Sequence, residues 1–153
     1  NNYGVIANHA ELIDLNFNGY EGPGVDWIHA NSLDYNPTLD QIMISARNYD
    51  ELWVIDHSTT TTEAASHTGG NSGKGGDILY RWGNAQTYRV GNNEDKMWFG
   101  QHDPHWIPDG LKDGGKIMVY NNGLDLAAEI SRVQIIDPPV DANGNYTYII
   151  IED

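Results

Sequence analysis

The sequence of 153 residues contains no cysteine and few basic side chains. Without cysteine, the redox compartment of the protein is left undefined. Lys and Arg number 8 against 22 Asp and Glu, which gives a formal net charge of −14. Such a charge argues against nucleic acid or an anionic membrane as a general partner. Any anion that the protein binds must therefore be held by a local cluster of side chains.

Long hydrophobic runs are also missing. No segment approaches the ~20 apolar residues of a membrane-spanning helix, and the N-terminus has no signal-peptide pattern, so no membrane partner is expected. The chain is instead rich in glycine (17), tyrosine (9) and tryptophan (5), which is typical of an all-β protein with short strands. Its length suits one ordinary domain. Its abrupt ends predict either a mature product or an excised piece of a longer chain.

Residues 26–47 are predicted to form a β-hairpin with three polar groups at one end. The turn and its two strands are predicted at residues 36–40, 31–35 and 41–45. His29 lies nine residues before Thr38 and Arg47 nine after it, so antiparallel pairing brings both to the same end. His29 and Asn31 share a face because side chains alternate along a strand. The trio predicts an anion site, with Arg47 donating to a tetrahedral oxyanion. The alternative is a loop-capping Asn31 and a solvated Arg47.

The same four-strand pattern occurs twice along the chain. The first unit spans about residues 27–83 and the second about residues 101–152, with a preceding strand predicted at about residues 10–17. The other strands are predicted at residues 51–56, 77–83, 102–107, 116–120, 131–137 and 146–151. The polar segment 57–76 is predicted to be a surface loop that serves as a lid or rim. A Gly-Lys pair within it does not form a phosphate-binding loop, because the required Gly and Ser/Thr are missing around it.

These repeats predict a partial β-propeller. Segments 41–44 and 116–119 are the most alike, which aligns Ile42 with Ile117 and gives a unit of about 75 residues. Successive four-stranded units are the form of propeller blades, whose innermost strands line a central channel. The predicted fold is therefore all-β, a partial propeller domain over residues 1–153 with about two four-stranded blades and one strand.

The second unit repeats the polar end of the first. Its turn midpoint falls near Leu111, which places His102 opposite Asn121 as His29 lies opposite Arg47. A solvated face does not require polar groups to recur at the same end of consecutive units. The duplication therefore favours one shared site at a channel mouth, to which Asn121 contributes as a substrate-binding residue.

Five short segments then form a specific set in a fixed order. They read DWIHANS, ISARN, GGDILYRWGN, QHD and NNG, at residues 26–32, 44–48, 75–84, 101–103 and 121–123. Together they resemble the bacterial aryl-sulfate sulfotransferases over roughly residues 10–137. The resemblance implies a six-bladed propeller, periplasmic or secreted, that moves a sulfuryl group from an aryl sulfate to a phenol without a nucleotide sulfate donor.

The resemblance also implies roles for individual residues. The nucleophile, which becomes a sulfohistidine, falls on His102, and the sulfate-binding His, Asn and Arg fall on His29, Asn31 and Arg47. No metal or other cofactor is required. A neutral imidazole is a competent nucleophile near pH 7, and a sulfuryl group in transfer spreads negative charge over its oxygens. Because the family has six blades, we expect this chain alone to be inactive and to need further blades or another copy.

Two other readings of the sequence stay open. One keeps the propeller as a non-catalytic module that binds a sulfated or phenolic ligand or assembles through open blade edges; turnover of an aryl sulfate with added phenol distinguishes it from an enzyme. The other concerns metals. The His102-x-x-His105 pair resembles half of a zinc site without cysteine. Residues 141–152 have calcium-loop spacing, but Tyr146 occupies the glycine position, so an Asn-Gly hairpin turn is favoured.

Overall fold

The structure is a computed structural model that describes residues 4–17, 26–124, 130–143 and 145–147. Within them the predicted all-β class is confirmed, because the chain forms two antiparallel sheets, of four and three strands, and very little helix. The strands are β1 (Ala30–Asn36), β2 (Gln41–Ala46), β3 (Glu51–Asp56), β4 (Tyr80–Trp82), β5 (His102–Trp106), β6 (Ile117–Asn121) and β7 (Arg132–Ile136). The α-helix is α1 (Thr61–Ala64), and no helix in these residues has the length and apolar character of a membrane span.

The β1–β2 hairpin forms where the sequence predicts it. The side-chain oxygen of Asn36 accepts hydrogen bonds from the backbone amides of Thr38 and Leu39, each at 3.0 Å, and so closes the turn. From this turn the ladder runs back to the pair Ala30 and Ala46. The first sheet has the strand order β1-β2-β3-β4, which is the order of the predicted first unit.

The second sheet contains three strands of the predicted second unit, in the order β5-β6-β7. The connection between β5 and β6 is closed by a hydrogen bond of 2.8 Å from the Ile107 amide to the Lys116 carbonyl. Of the predicted fourth strand, residues 146–151, only the first two residues are described. Tyr146 forms an isolated bridge with Val140, and residues 148–151 lie outside the described part of the chain.

Residues 10–17 form turns and not the predicted strand. A guanidinium group, and not a strand ladder, binds this backbone: Arg81 Nη1 donates to the carbonyl of Ala10 at 3.0 Å and to that of Leu12 at 2.9 Å. Ile13 packs against the buried cluster on the outer face of the first sheet. The partial hydrophobic alternation of the segment therefore reflects packing onto a sheet and not membership of one.

The alignment of Ile42 with Ile117 is wrong by one residue. Both lie in the second strand of their sheet, but β2 buries the following residue, Met43, whereas β6 buries Ile117 itself, and each of these two is 0% exposed. Ile42 is only partly buried. Side chains alternate between the faces of a strand, so a shift of one residue moves a side chain to the opposite face. The shared Ile-Met pair in the two sequences conceals this shift.

The main hydrophobic core lies between the two sheets. It contains Met43, Leu52, Val54, Tyr80, Trp98, Trp106, Ile117 and Val119. β1 and β5 lie side by side, since the Trp106 amide donates to Asp34 Oδ2 at 2.8 Å. The first strands of the two units are therefore neighbours. In the described residues the sheets remain open and form no ring, and the outer face of the second sheet exposes Tyr120, Val133 and Ile135.

The long loop of residues 57–76 lies at the turn end of the first sheet. It leaves β3 at Asp56, which pairs with Gln41 beside the β1–β2 turn. The Asp56 carboxylate accepts hydrogen bonds from the amide and the hydroxyl of both Ser58 and Ser72, and so holds the loop in place. The loop is therefore at the opposite end of the sheet from the predicted anion site and is not the lid of that site.

These bonds make the stability of the loop depend on pH. Burial alone would raise the pKa of Asp56, but the hydrogen bonds from Ser58 and Ser72 hold it below its ordinary value of 3.8. A lowered pKa in the folded state stabilises the protein above pH 3.8, and this contribution is lost as the pH falls through the folded-state pKa. We expect Asp56→Asn to lower the free energy of unfolding at pH 7 by about 1–3 kcal/mol and to weaken its decline in acid.

Urea denaturation at a series of pH values measures both effects. Asp109→Asn is the matched control, because this aspartate is exposed and should change neither quantity. Identical pH profiles for the wild type and Asp56→Asn would contradict the prediction.

Candidate functional site

The candidate site lies at the end of the first sheet where β1 begins and β2 ends, which we call the rim. Here the Arg47 amide donates to the His29 carbonyl at 3.2 Å, and the Asn48 amide donates to the Ile28 carbonyl at 3.1 Å. The Asn48 side chain also donates to the Asp26 carbonyl at 2.7 Å. These bonds continue the hairpin beyond its last ladder pair. The prediction that His29 and Arg47 meet at one end of the hairpin is confirmed.

His29 does not lie in a regular strand. Its φ is 50°, in the left-handed region, and a bulge follows between Ala30 and Ser32. The alternation of side chains between strand faces, which predicts His29 and Asn31 on one face, therefore does not hold here. The His29 ring is bonded through Nδ1 to the carboxylate of Asp26, and its side chain is 42% exposed. This carboxylate orients the ring and leaves Nε2 on its other edge.

The segment that enters β5 passes close to the rim. The Gly100 amide donates to Asp50 Oδ1 at 2.6 Å, and Asp50 Oδ2 forms an ion pair with Lys96 at 2.6 Å. The φ of Gly100 is +68°, and a Cβ placed on it would lie 2.5 Å from Cδ1 of Leu124 and 3.6 Å from Nη2 of Arg47. Glycine is the residue that tolerates this conformation and this approach. The Arg47 guanidinium therefore lies on the side of Gly100 that a side chain would occupy, two residues before His102.

Asn31 reaches the same segment from β1. Its Nδ2 donates to the backbone carbonyl of Gln101 at 2.9 Å, while Gln101 Nε2 donates to the Glu51 carbonyl at 2.8 Å and lies 3.3 Å from Ser45 Oγ. Gln101 is 0% exposed. An amide nitrogen carries two hydrogens, so Asn31 retains one for a ligand. The structure thus brings Asn31 next to His102, although the two are distant in sequence.

Arg47 has no carboxylate partner among the described residues. Its Nη1 donates to the neutral Asn48 side chain at 3.0 Å. Two other arginines are neutralised, since Arg81 pairs with buried Glu51 and Arg89 pairs with Asp14. A half-buried, unpaired guanidinium in a chain of net charge −14 provides the local positive charge that anion binding requires.

His102 is the first residue of β5 and is half-buried. Its Nδ1 lies 3.1 Å from the Gly100 carbonyl oxygen and 2.9 Å from Nδ2 of Asn122. The residue opposite His102 in the ladder is Tyr120, and the expected pairing with Asn121 is wrong by one position. A bulge between His102 and His105 shifts the register there. Asn122 is therefore the amide that contacts the ring.

Asn121 has a different role from the one predicted. Its Oδ1 accepts from the amides of Phe99 at 3.0 Å and Gly123 at 3.2 Å. Its Nδ2 donates to the Met97 carbonyl at 3.2 Å and to Gln134 Oε1 at 3.0 Å. Two donor hydrogens and two lone pairs are all that a carboxamide has. Asn121 is saturated by protein groups and supports the chain before β5, and it has no group left to bind a substrate.

Two residues of the site, Asn122 and Gln101, are not predicted from the sequence, although they lie within the NNG and QHD segments. Side-chain alternation does carry a signal for Asn121, which shares the buried face of β6 with Ile117 and Val119. The contact of Asn122 with the His102 ring joins two strands and has no such local signal.

Metal-ligating clusters and cavities are the other kinds of binding site that the described residues could offer. In the described part of the chain, no group of three or more histidine and acidic side chains is arranged to hold a metal ion. A cavity of about 780 Å³ lies at the turn end of the first sheet, lined by residues that include Leu39, Gln41, Asp56, Lys74 and Tyr146. This cavity is at the opposite end of the sheet from the rim and does not contain the candidate residues.

The two adjacent asparagines should respond differently to mutation. Asn121→Ala leaves several buried backbone and side-chain groups without a partner, and we expect it to lower the free energy of unfolding by at least about 2 kcal/mol. Asn122→Ala removes one bond to the Gly100 carbonyl, which keeps the His102 ring as a second neighbour, and should cost less than about 1 kcal/mol. Chemical denaturation measures both. Equal losses would show that Asn121 does not have the structural role that its contacts indicate.

The comparison with known proteins agrees with the geometry. A family model described as arylsulfotransferase (ASST) matches residues 10–135, a range that includes all the residues discussed at the rim. No curated protein and no solved structure matches the chain at a significant level. Since the family model covers most of the chain and its site, the protein belongs to the arylsulfotransferase (ASST) family.

Proposed function

We propose that this chain carries the site at which a complete protein transfers a sulfuryl group from an aryl sulfate to a phenol. Membership in the family indicates a sulfotransferase with these two substrate classes. The observation that carries the proposal is the unpaired Arg47 guanidinium beside the backbone that leads into His102. An aryl sulfate is an anion, and Arg47 supplies a positive charge at the rim that pairs with a neutral side chain and not with a carboxylate.

The first half of the reaction forms a sulfohistidine. The lone pair of His102 Nε2 attacks sulfur, the bond between sulfur and the aryl oxygen breaks, and the phenolate leaves with the electron pair of that bond. A neutral imidazole can act in this way because its unprotonated ring nitrogen carries a lone pair. No nucleotide donor enters the reaction, since the sulfuryl group comes from the aryl sulfate itself.

Arg47 and Asn31 stabilise the group in transfer. Negative charge spreads over the sulfuryl oxygens as the old bond breaks and the new one forms, as in phosphoryl transfer. The guanidinium provides planar donors for two of these oxygens, and Asn31 donates its remaining amide hydrogen. Both groups are fixed by protein contacts before a substrate arrives, so little reorganisation is needed at the transition state.

The second half of the reaction returns the histidine. The oxygen of an acceptor phenol attacks sulfur, the bond between His102 Nε2 and sulfur breaks, and the nitrogen recovers its lone pair. His29, oriented by Asp26, gives a proton to the departing phenolate in the first half and takes the phenolic proton of the acceptor in the second. Protons therefore balance over the cycle, and His29 also contributes positive charge while it is protonated.

We propose that the two sheets are neighbouring blades of a larger propeller that works in the periplasm or outside the cell, as the resemblance implies. One feature supports adjacent blades, and a second supports a further neighbour that covers them. β1 and β5 lie side by side as inner strands of adjacent blades do, and the outer face of the second sheet leaves Val133 64% and Ile135 47% exposed. Apolar side chains paired on an open sheet face need a covering layer. Further blades, or a second copy of the chain, would supply it.

Sedimentation of the isolated 153-residue chain tests this proposal. With apolar side chains exposed on the outer face of the second sheet in the described residues, the chain should self-associate or unfold without a cooperative transition. A compact monomer that unfolds cooperatively would contradict the propeller proposal.

Covalent labelling tests the chemical role of His102. After brief exposure of the full-length protein to an aryl sulfate and rapid quenching, mass spectrometry should locate a sulfuryl adduct on His102. His102→Ala should abolish the adduct. His105→Ala is the matched control and should retain it, since the His105 ring is turned to the carbonyl of Asp103 at 2.8 Å. An adduct on a different residue would refute the assignment.

The same assay measures the contribution of Arg47. Arg47→Lys keeps the charge but loses the planar pair of donors, so the rate of adduct formation should fall by about a hundredfold to a thousandfold while the protein stays folded. Unchanged labelling in this variant would remove the main support for the site.

A further inference from the structure

Three polar atoms lie close together behind the His102 ring. Asn122 Nδ2 is 2.6 Å from the Gly100 carbonyl oxygen, His102 Nδ1 is 3.1 Å from the same oxygen, and the two nitrogens are 2.9 Å apart. One of these atoms is an acceptor, one is a donor, and Nδ1 is either of the two according to the tautomer of the ring. The arrangement therefore bears on which ring nitrogen carries the proton.

The distances favour one assignment of the proton. Sides of 2.6, 2.9 and 3.1 Å form an acute triangle, whereas the two N–H bonds of a carboxamide diverge by an obtuse angle. Asn122 therefore cannot direct straight hydrogen bonds to both the Gly100 oxygen and Nδ1. Its shortest contact is to the oxygen. A carbonyl oxygen has two lone pairs, so it can accept from Asn122 and also from a protonated Nδ1.

The Gly100 carbonyl depends on Asn122 for its orientation. Glycine allows wide backbone freedom, and here its φ is +68°. The Gly100 amide is fixed by Asp50, but the carbonyl belongs to the next peptide unit, and the bonds to it come from Asn122 and the His102 ring. Without the Asn122 amide this peptide can rotate away from the ring.

We propose that Asn122 is a positioning residue that sets the tautomer of His102. It holds the Gly100 carbonyl against Nδ1, the carbonyl accepts the Nδ1 proton, and Nε2 is left with a free lone pair. A free neutral histidine prefers the opposite tautomer, with the proton on Nε2. In that tautomer Nε2 has no free lone pair and cannot attack sulfur. This inference rests on the proposed function, because it assigns Nε2 as the attacking atom, but its structural part is independent of activity.

Nitrogen NMR of the histidine rings tests the tautomer without a substrate. In the full-length protein labelled at histidine nitrogen, at a pH where His102 is neutral, two-bond proton–nitrogen correlations should show Nδ1 protonated and Nε2 bare. In Asn122→Ala the pattern should move toward protonated Nε2. Asn93→Ala is the matched control, because this asparagine is exposed and is not one of the residues that contact the His102 ring. Protonated Nε2 in the wild type, or no change in Asn122→Ala, would overturn the proposal.

The kinetic consequence of the Asn122 proposal is tested with the same variants. Loss of a partner that orients a catalytic group costs about tenfold to a hundredfold in activity, so Asn122→Ala should slow formation of the His102 adduct by that factor. The KM for the aryl sulfate should stay unchanged, because the Asn122 amide is engaged with the Gly100 carbonyl and the far side of the His102 ring. A change confined to KM would overturn the positioning role.

The two proposals fail in different ways. If the wild type forms no adduct but shows the protonated Nδ1 and responds to Asn122→Ala, the proposed function is wrong and the positioning contact stands. If the adduct forms on His102 but the tautomer does not depend on Asn122, the function stands and this inference is wrong.

Discussion

The candidate site depends on a buried glutamine amide that joins the two sheets. Gln101 Nε2 donates to the backbone of Glu51 at the start of β3, and the Gln101 carbonyl accepts from Asn31 in β1. Because His102 is the next residue, these bonds fix where β5 starts relative to the first sheet. A buried amide that loses its partner costs about 1–3 kcal/mol, so displaced arrangements of the two sheets are disfavoured. The position of His102, the proposed nucleophile, follows from this constraint.

One short turn at the rim serves both sheets. The 3₁₀ turn Arg47–Tyr49 is followed by Asp50 in the left-handed conformation, with φ 54°. The turn presents the Arg47 guanidinium toward the site, and Asp50 binds the Gly100 amide of the incoming segment. The Arg47 cation and the segment that leads to His102 are therefore located by the same piece of backbone. Such fixed placement is what electrostatic stabilisation of a transition state requires.

The charge of the whole chain makes the local arrangement more important. A net charge of −14 repels an anionic substrate at long range, but salt screens such repulsion beyond a Debye length of about 8 Å. At short range the groups near His102 include the Arg47 guanidinium and the neutral amides of Asn31 and Asn122. The acidic side chains near this segment have cationic or histidine neighbours, since Asp50 pairs with Lys96 and Asp103 Oδ2 lies 3.6 Å from His105 Nδ1. The site thus remains locally favourable to an anion.

The sequence by itself determined the all-β class, seven strands close to their observed bounds, and the meeting of His29 with Arg47. These features depend on local chemistry: alternating side chains, and an Asn-Pro turn whose length fixes the pairing. The five short segments that carry the family resemblance are likewise recognised from residues that are adjacent in sequence. Each of these predictions needs only residues that are near in sequence or joined by one hairpin.

Only the tertiary structure decided the rest. The role of Arg81 in binding residues 10–17, the bulge that pairs His102 with Tyr120, and the exchange of Asn122 for Asn121 all depend on contacts between distant segments. A bulge shifts register by one residue and leaves no mark in the hydrophobic pattern. At the start of β5 that single residue makes Tyr120, and not Asn121, the partner of His102, and the side chain that meets the His102 ring is then Asn122 from beyond the end of β6.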